Sequence, residues 1–411
     1  MFLSKLRNKK EVISWSLYDF ANQPFTTIIV TFVYGAFFTS VIASDENTGT
    51  LLWTWGIAST AIIVSILSPI LGALADKGGF RKFFLILFTW ICAIFSILLY
   101  FPQSGDVFFA LSLFVIANIS FELGSIFCNS YLQDLSEDSN IGKISGFAWG
   151  LGFVGGLLAL FISFSLFELN SVGIRGINIL VGVWFLIFSI PTFLFVKDRK
   201  KNKLTKKHFA DSFTSIKTTF KEVEKYKVIM KFLIARLFFN DGLITIFALG
   251  GIYATDTLDF TFDEVMMLGI ILNVSAAIGS FVFGYLEDNI GVKRVINISL
   301  LVLVFSTLLA FIAPYFTFQK EIFWVAGVLI GLMVGPNQSC SRSLMAKLTP
   351  KEKQNEFFGF FALTGKATSF VGPILFGIIT FNFSQQVALW VVIFLFLIGL
   401  ILFNKIKFQD E

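Results

Sequence analysis

Apolar residues run in long blocks along this chain, and polar residues gather in short breaks between them. Blocks of about 20 residues recur, the length that carries a helix across about 30 Å of hydrocarbon. They are too long for buried strands and show no alternation of period two. The breaks delimit spans at about 14–42, 51–74, 82–101, 106–131, 144–166 and 174–196. After a polar gap come spans at about 228–255, 263–286, 293–313, 321–346, 356–380 and 386–404. The pattern predicts an all-α integral membrane protein of twelve transmembrane helices, six plus six. Residues 1–196 and 228–411 are expected to form two six-helix bundles, joined by a linker at 197–227.

One break recurs. Gly72-Ala73-Leu74-Ala75-Asp76-Lys77-Gly78-Gly79-Phe80-Arg81-Lys82 joins the second and third spans. Adding 212 carries Gly72, Leu74, Asp76 and Gly79 onto Gly284, Leu286, Asp288 and Gly291, and the basic pair Arg81-Lys82 onto Lys293-Arg294. With a shift of 213, Leu135 falls on Leu348, and Gly146 and Gly152 fall on Gly359 and Gly365. The chain reads as one half written twice, the plan of a transporter built from two parallel repeats.

Composition agrees with the spans. The chain is 56% hydrophobic with 14% charged residues, against about 25% charged in a soluble domain, which leaves too little charge for a water-facing surface. Its Lys and Arg residues set an orientation. With the N-terminus cytoplasmic, the cytoplasmic segments hold 26 of the 32, all but Arg175, Lys231, Arg236, Lys320, Arg342 and Lys366. Both termini are expected in the cytoplasm, and no cleaved leader is expected at the short basic start. Cys92, Cys128 and Cys340 lie far apart in apolar spans and read as packed thiols. The single histidine, His208, leaves no His-built metal site or triad.

The linker Lys197–Lys227 carries eleven Lys and Arg residues. Lys197 to Lys207 is a basic tract expected near an anionic leaflet. Beyond it Phe209, Phe213, Ile216, Phe220 and Val223 fall on one helical stripe, the pattern of an amphipathic helix in the headgroup plane. A solvated tether is the alternative.

The paired loops and the six-plus-six plan resemble the major facilitator superfamily. A narrower resemblance is carried by Tyr18-Asp19-Phe20-Ala21-Asn22, Asn129-Ser130-Tyr131-Leu132, Ser145-Gly146-Phe147 and Trp149-Gly150. It extends through Gly335-Pro336, Ser341-Arg342-Ser343, Glu356-Phe357-Phe358-Gly359 and Gly372-Pro373. These are similar to the autophagy-related vacuolar amino-acid effluxers and their bacterial relatives. The resemblance implies a secondary transporter, with amino acids the favoured substrates, in a bacterial inner membrane.

Ionisable groups inside spans are costly and are therefore candidates for function. Asp19, Asn22 and Thr26 share a face of the first span, and Pro24 deprives Phe20 of a backbone partner and should kink the helix. Asp19 could instead be an interfacial helix-start carboxylate. Asn118, Glu122, Ser125 and Asn129 form a polar stripe in the fourth span, with Glu122 the candidate for proton coupling or for an internal salt bridge. Cationic and polar candidates in the second half are Arg236, Asn240, Asp241, Asn337, Gln338, Arg342 and Lys366. Arg342 and Lys366 could recognise an anionic group, or Arg342 could cap its helix and meet lipid phosphates. The repeat is broken here, because Glu122 aligns with Gly335 and Asn129 with Arg342. An acidic first half and a basic second half suit a zwitterion.

Gly72, Asp76, Arg81, Lys82, Gly284, Asp288, Lys293 and Arg294 are the gating candidates. Asp76 can pair with Arg81 or cap a neighbouring helix; alternatively these charges only set topology. Gly359 to Gly365-Lys366-Ala367 resembles a phosphate-binding loop only superficially, with five intervening residues and no hydroxyl after the lysine. No nucleophile-plus-base arrangement is present in the sequence, so an enzyme is not expected, nor is a cofactor or a nucleic-acid partner. The expected partners are a small-molecule substrate and the bilayer. The competing class is a sensor or scaffold that keeps a transporter fold without translocating.

Overall fold

The computed structural model describes residues 6, 8–168, 170–198, 206–222 and 224–408. Lys5, Arg7, residues 199–205 of the basic tract and Val223 of the linker stripe lie outside the described residues. Among the described residues all regular structure is helical. Twelve helices among these residues are long and apolar enough to cross a membrane. The protein is a multi-pass membrane protein of the expected all-α class.

The first six spanning helices are α1 Lys9–Ile42, α2 Thr48–Gly78, α3 Arg81–Leu98, α4 Val107–Leu135, α5 Ile141–Leu166 and α6 Ser171–Phe195. The second six are α7 Lys227–Leu258, α8 Asp263–Ile290, α9 Val292–Tyr315, α10 Gln319–Leu348, α11 Lys351–Asn382 and α12 Gln385–Asn404. Local chemistry sets several ends. Asp45 caps the start of α2 through Thr48 N–H, Asn170 caps α6, and Ser384 caps α12. Thr261 and Glu264 form a reciprocal capping box before α8. The loop glycines act as stops: Gly79 after α2 has φ +67° and Gly291 after α8 has φ +90°, regions that a side chain rarely enters.

Two helices are irregular, α1 where Pro24 predicts a disturbance and α11 where the apolar run predicts a continuous helix. After Pro24, α1 passes into π-helix over Phe25–Phe32, and again over Phe38–Ile42. In α11 the helix runs Gln354–Lys366, loosens into turns over residues 367–370, and resumes at Val371–Asn382. Pro373 explains the second break: lacking an N–H, it cannot serve the Ser369 carbonyl four residues back.

The chain packs as two compact units that cut across the sequence halves. One comprises Met1–Ser136, Leu151–Ile216 and Lys351–Ala362; the other comprises Glu137–Gly150, Lys217–Pro350 and Leu363–Glu411. The opening turns of α5 thus belong with the second-half helices, and the opening turns of α11 with the first-half helices. In the first unit the core is aromatic, with Trp15, Tyr18, Phe25, Phe114 and Phe127 fully buried; Phe232 and Phe239 are buried in the second. Cys92, Cys128 and Cys340 are buried free thiols. Between α6 and α7, the linker forms a helix at Lys206–Lys221.

Candidate functional site

The repeated loops build the same device once in each unit. In the first, Asp76 Oδ1 accepts from the backbone N–H of Asn355 at 3.1 Å and from its Nδ2 at 2.7 Å, while Oδ2 accepts from Glu356 N–H at 2.8 Å. These are opening amides of α11, which no carbonyl within the helix can reach. The carboxylate is therefore an N-cap delivered by another helix, with its charge against the positive end of the dipole. In the second unit Asp288 does the same for α5. It accepts from Gly142 N–H at 2.9 Å and Lys143 N–H at 3.0 Å, with the Lys143 ammonium 3.6 Å away.

Such capping needs close helix approach, and glycines supply it. A Cβ on Gly72 would lie 2.7 Å from the Asn355 carbonyl carbon, and one on Gly359 would lie 2.7 Å from the Ser68 carbonyl carbon and 2.8 Å from Pro69 Cα. Ser68 Oγ donates to the Gly359 carbonyl at 3.0 Å. In the second unit a Cβ on Gly146 would lie 2.6 Å from Gly284 Cα.

Of the two partners open to Asp76 on sequence grounds, the helix cap is the one formed. Arg81 turns instead to Asp134 at 2.7 Å and Asp198 at 3.5 Å, donates to Ser130 O and Gln354 Oε1, and stacks on the Tyr131 ring. The lysines have another task. Lys82 Nζ donates to Val196 O at 2.8 Å just past α6, and Lys293 Nζ donates to Ile406 O at 3.0 Å just past α12. Each thereby ties the start of the third helix of its half to the end of the sixth. Arg294 is exposed.

Arg342 is 2% exposed on α10. Its Nε donates to Ser145 Oγ at 3.0 Å, its Nη2 donates to Ser145 O at 2.8 Å, and its guanidinium lies 5.6 Å from the Trp149 ring. It grips α5 beside the Asp288 cap. Asn337 is also fully buried, donating to Ser299 Oγ of α9 at 3.0 Å.

The remaining candidates of the second half converge where α11 breaks. Gln338 Nε2 donates to Asn240 Oδ1 at 3.2 Å, and Asn240 Nδ2 donates to the Gly365 carbonyl at 3.3 Å. Arg236, buried on α7, reaches Thr364 Oγ1 at 3.5 Å. Thr368, in the loosened turns, donates to the buried Asp241 at 3.3 Å. Lys366 ends the first helical half of α11 and is half-buried. The carboxylate of Asp241, the cations Arg236 and Lys366, and two amides thus belong to one unit. Charge of both signs is available there without a contribution from the first half.

In the first unit Asn22 and Asn118 are buried, and Asp19, Glu122 and Asn129 are half-buried. The α1 distortion is held from outside. Trp184 Nε1 of α6 donates to the Phe20 carbonyl at 3.2 Å, with its indole stacked on the Phe20 ring. This is the carbonyl that Pro24 leaves without a helical donor.

With these positions in view, comparison with known proteins identifies the lineage. A family profile described as "Vacuole effluxer Atg22 like" matches residues 45–410. The chain belongs to the Atg22-like family. An uncharacterized MFS-type transporter, YxiO of Bacillus subtilis, is 27% identical to this Atg22-like protein over 411 residues, covering 96% of the chain and 94% of the relative. Autophagy-related protein 22-1 of Neosartorya fischeri is 25% identical over 274 residues, covering 59% of the chain and 44% of the fungal protein. Among solved structures, a bacterial homologue of the iron transporter ferroportin in an outward-facing state matches with TM-score 0.75 at 14% identity, covering 97% of the chain and 98% of that one. The human organic anion transporter MFSD10 matches with TM-score 0.75 at 15% identity, covering 97% and 99%. At such identities the likeness establishes the major facilitator fold.

Several residues of these clusters were not among the sequence candidates. Gly142, Ser145, Asn355, Glu356 and Gly359 receive the caps and crossings; in the sequence Ser145 and Glu356 stand out only through the family resemblance, and Gly359 through the resemblance and the repeat. Glu287, adjacent to Asp288, is fully buried, accepts from Ser343 Oγ and lies 3.8 Å from the Lys347 ammonium. Its repeat counterpart is Ala75, so the repeat gives no signal for it.

Proposed function

We propose that this Atg22-like protein is a secondary transporter of a small polar metabolite, with amino acids the favoured class, working by alternating access with proton coupling. The observation that carries this reading is the duplicated cap. Asp76 on the start of α11 and Asp288 on the start of α5 are contacts that can be made in one state and released in the other without unfolding either helix. Their charge-assisted bonds are few, so each cap has a modest free energy, the range a gate needs if it is to open on the μs–ms timescale of domain motion. On this reading the ends bearing the caps are cytoplasmic, as the distribution of Lys and Arg predicts.

Substrate contacts are assigned to Asp19, Asn22, Asn118, Glu122 and Asn129 in the first half and to Arg236, Asn240, Asp241, Gln338 and Lys366 in the second. Support for a zwitterionic substrate comes from Arg236, Lys366 and Asp241 lining the α11 break, where a broken helix offers backbone groups as well as side chains. A carboxylate matches the cations, and an ammonium matches Asp241 or the unwound carbonyls. Glu122 is assigned the proton-coupling role. The test is flux in proteoliposomes across a panel of amino acids, other organic anions and sugars, with and without a pH gradient. Amino-acid flux that responds to the gradient and loses that response in Glu122→Gln is expected. Flux restricted to another class would overturn the substrate assignment, and unchanged coupling in Glu122→Gln would remove that residue from the mechanism.

A further inference from the structure

The linker helix Lys206–Lys221 docks with its polar side inward. Ser212, Ser215 and Thr219 are buried, whereas Phe213 is 57% exposed and Lys217 and Lys221 are exposed. Phe213 and Ile216 are the described side chains of the apolar stripe, and the stripe lies about 100° around the helix from the docked residues. An aromatic ring turned outward beside lysines calls for an apolar, anionic surface. The charge fits: this helix holds four lysines against one aspartate, and the whole linker holds eleven basic residues against Asp198, Asp211, Glu222 and Glu224. An aromatic side chain settles at headgroup level, and basic neighbours are attracted to anionic lipid.

The docked side reaches the gate. Ser215 Oγ donates to Glu356 Oε2 at 2.7 Å, and the Lys353 ammonium lies 3.6 Å from Glu356 Oε1. The backbone N–H of the same Glu356 is one of the groups that Asp76 caps, at 2.8 Å. Glu356 therefore takes part both in the α11 cap, beside Asn355, and in the seating of the linker helix, which also packs His208 against the Phe80 ring. The second unit's cap at Gly142 and Lys143 belongs to a helix that follows a short loop, with no linker before it.

We propose that the linker helix binds the anionic headgroups of the adjoining leaflet and, through Ser215 and Glu356, makes the α11 cap responsive to lipid charge. Binding holds the helix in its docked orientation, Phe213 in the headgroup layer and the serines on the protein, and so favours the capped state of α11. The inference concerns a lipid contact and its mechanical consequence, and it does not require the transport reading.

The full chain in nanodiscs of phosphatidylcholine, with or without about one-third phosphatidylglycerol, tests it by hydrogen exchange. Amides of 206–221 and 354–358 are expected to exchange at least about tenfold more slowly with the anionic lipid, from two exposed lysines near the surface. Salt at 1 M should erase most of the difference. Phe213→Gln with Lys217→Gln and Lys221→Gln should abolish the lipid effect on both segments while leaving exchange in phosphatidylcholine unchanged. Ser215→Ala should keep the effect on 206–221 and lose it on 354–358. Equal exchange in the two lipids, a lipid effect that survives the triple substitution or 1 M salt, or an undiminished α11 response in Ser215→Ala would each overturn the proposal.

Discussion

Gly359 and Gly377 both lie in α11, and the same substitution should move stability in opposite directions at the two positions. Nothing lies within 4 Å of a Cβ built on Gly377, so alanine there brings only its helix preference, about 0.5–1 kcal/mol. A Cβ on Gly359 meets backbone: 2.7 Å to the Ser68 carbonyl carbon and 2.8 Å to Pro69 Cα, with the Ser68 oxygen closer still. Backbone atoms of α2 cannot rotate away as a side-chain tip can. Overpacking of this kind costs about 1–3 kcal/mol. The Ser68–Gly359 hydrogen bond, contributing about 1 kcal/mol, is also put at risk. After subtracting the helix preference, Gly359→Ala should lose about 1–3 kcal/mol. An unfolding entropy of about 2.1 cal/mol/K per residue converts this to a fall of about 1–3 °C in melting temperature for a chain of this length, against a rise of about 1 °C for Gly377→Ala. Gly146→Ala should follow Gly359→Ala, because its Cβ would lie 2.6 Å from Gly284 Cα. Tryptophan-fluorescence melting in detergent, with the three variants beside the parent, measures the signs. A Gly359→Ala protein that melts as high as Gly377→Ala would show that the crossing of α2 and α11 is looser than described, and the close-approach reasoning for both caps would fail with it.

Three further outcomes follow from the same geometry. Trp184→Phe keeps a ring against Phe20 but removes the donor to its carbonyl, so a loss of about 1–3 kcal/mol is expected in the same melting assay, and an unchanged melting temperature would deny the indole that role. Asp288→Asn keeps an acceptor for the opening amides of α5 but loses the charge that faces the helix dipole and Lys143; exchange of the Gly142–Ser145 amides should accelerate about five- to thirtyfold, from a loss of about 1–2 kcal/mol, with no acceleration counting against the cap. Pro373→Ala returns an N–H to the Ser369 carbonyl and should let α11 run continuously, leaving melting no lower while flux falls; full flux through a straightened α11 would separate the break from substrate handling.

The twelve spans and the repeated loops were legible because lipid imposes a one-dimensional rule, a run of apolar residues of fixed length, and because Asp and Gly are scarce enough for their recurrence to stand out. A disturbance at Pro24 was legible for a local reason, a missing N–H, although its form, π-helix over Phe25–Phe32, was not. Pro373 carries the identical signal, but it stands inside a family motif and within an apolar run that predicts a continuous α11. Partners were harder. Nothing in the spacing of Asp76 says that its acceptors meet Asn355 and Glu356, almost three hundred residues away, instead of Arg81 five residues on. Nor does spacing show that Arg342, which shares a stripe with Gln338, turns to Ser145 while Gln338 turns to Asn240. Periodicity assigns a residue to a face of its own helix, but the identity of the helix opposite is fixed by packing. The linker stripe is the instructive case: Phe213 of the stripe is exposed, and the serines and threonine between its apolar positions make the protein contact.

Comparing the two halves position by position separates what the fold needs from what the chemistry needs. The residues that recur are mechanical: Asp76 and Asp288 as caps and Gly359 and Gly146 at the crossings, with Lys82 and Lys293, one position out of register, doing the same work as ties onto the ends of α6 and α12. Where the halves diverge, the residues are polar or break a helix. Glu122 stands opposite Gly335, Asn129 opposite Arg342, and Pro373 opposite Leu160, so that α5 runs unbroken through Gly155 and Gly156 while α11 loosens at Thr368 and Ser369. A duplicated cap does the same work in each half, and symmetry there costs nothing. A small asymmetric solute has no two-fold axis to match, so a pair of identical polar linings would leave one of them wrongly charged for it. The loss of symmetry at α4, α10 and α11, and its retention at the caps, is the distribution expected if the first group handles a polar substrate and the second only moves.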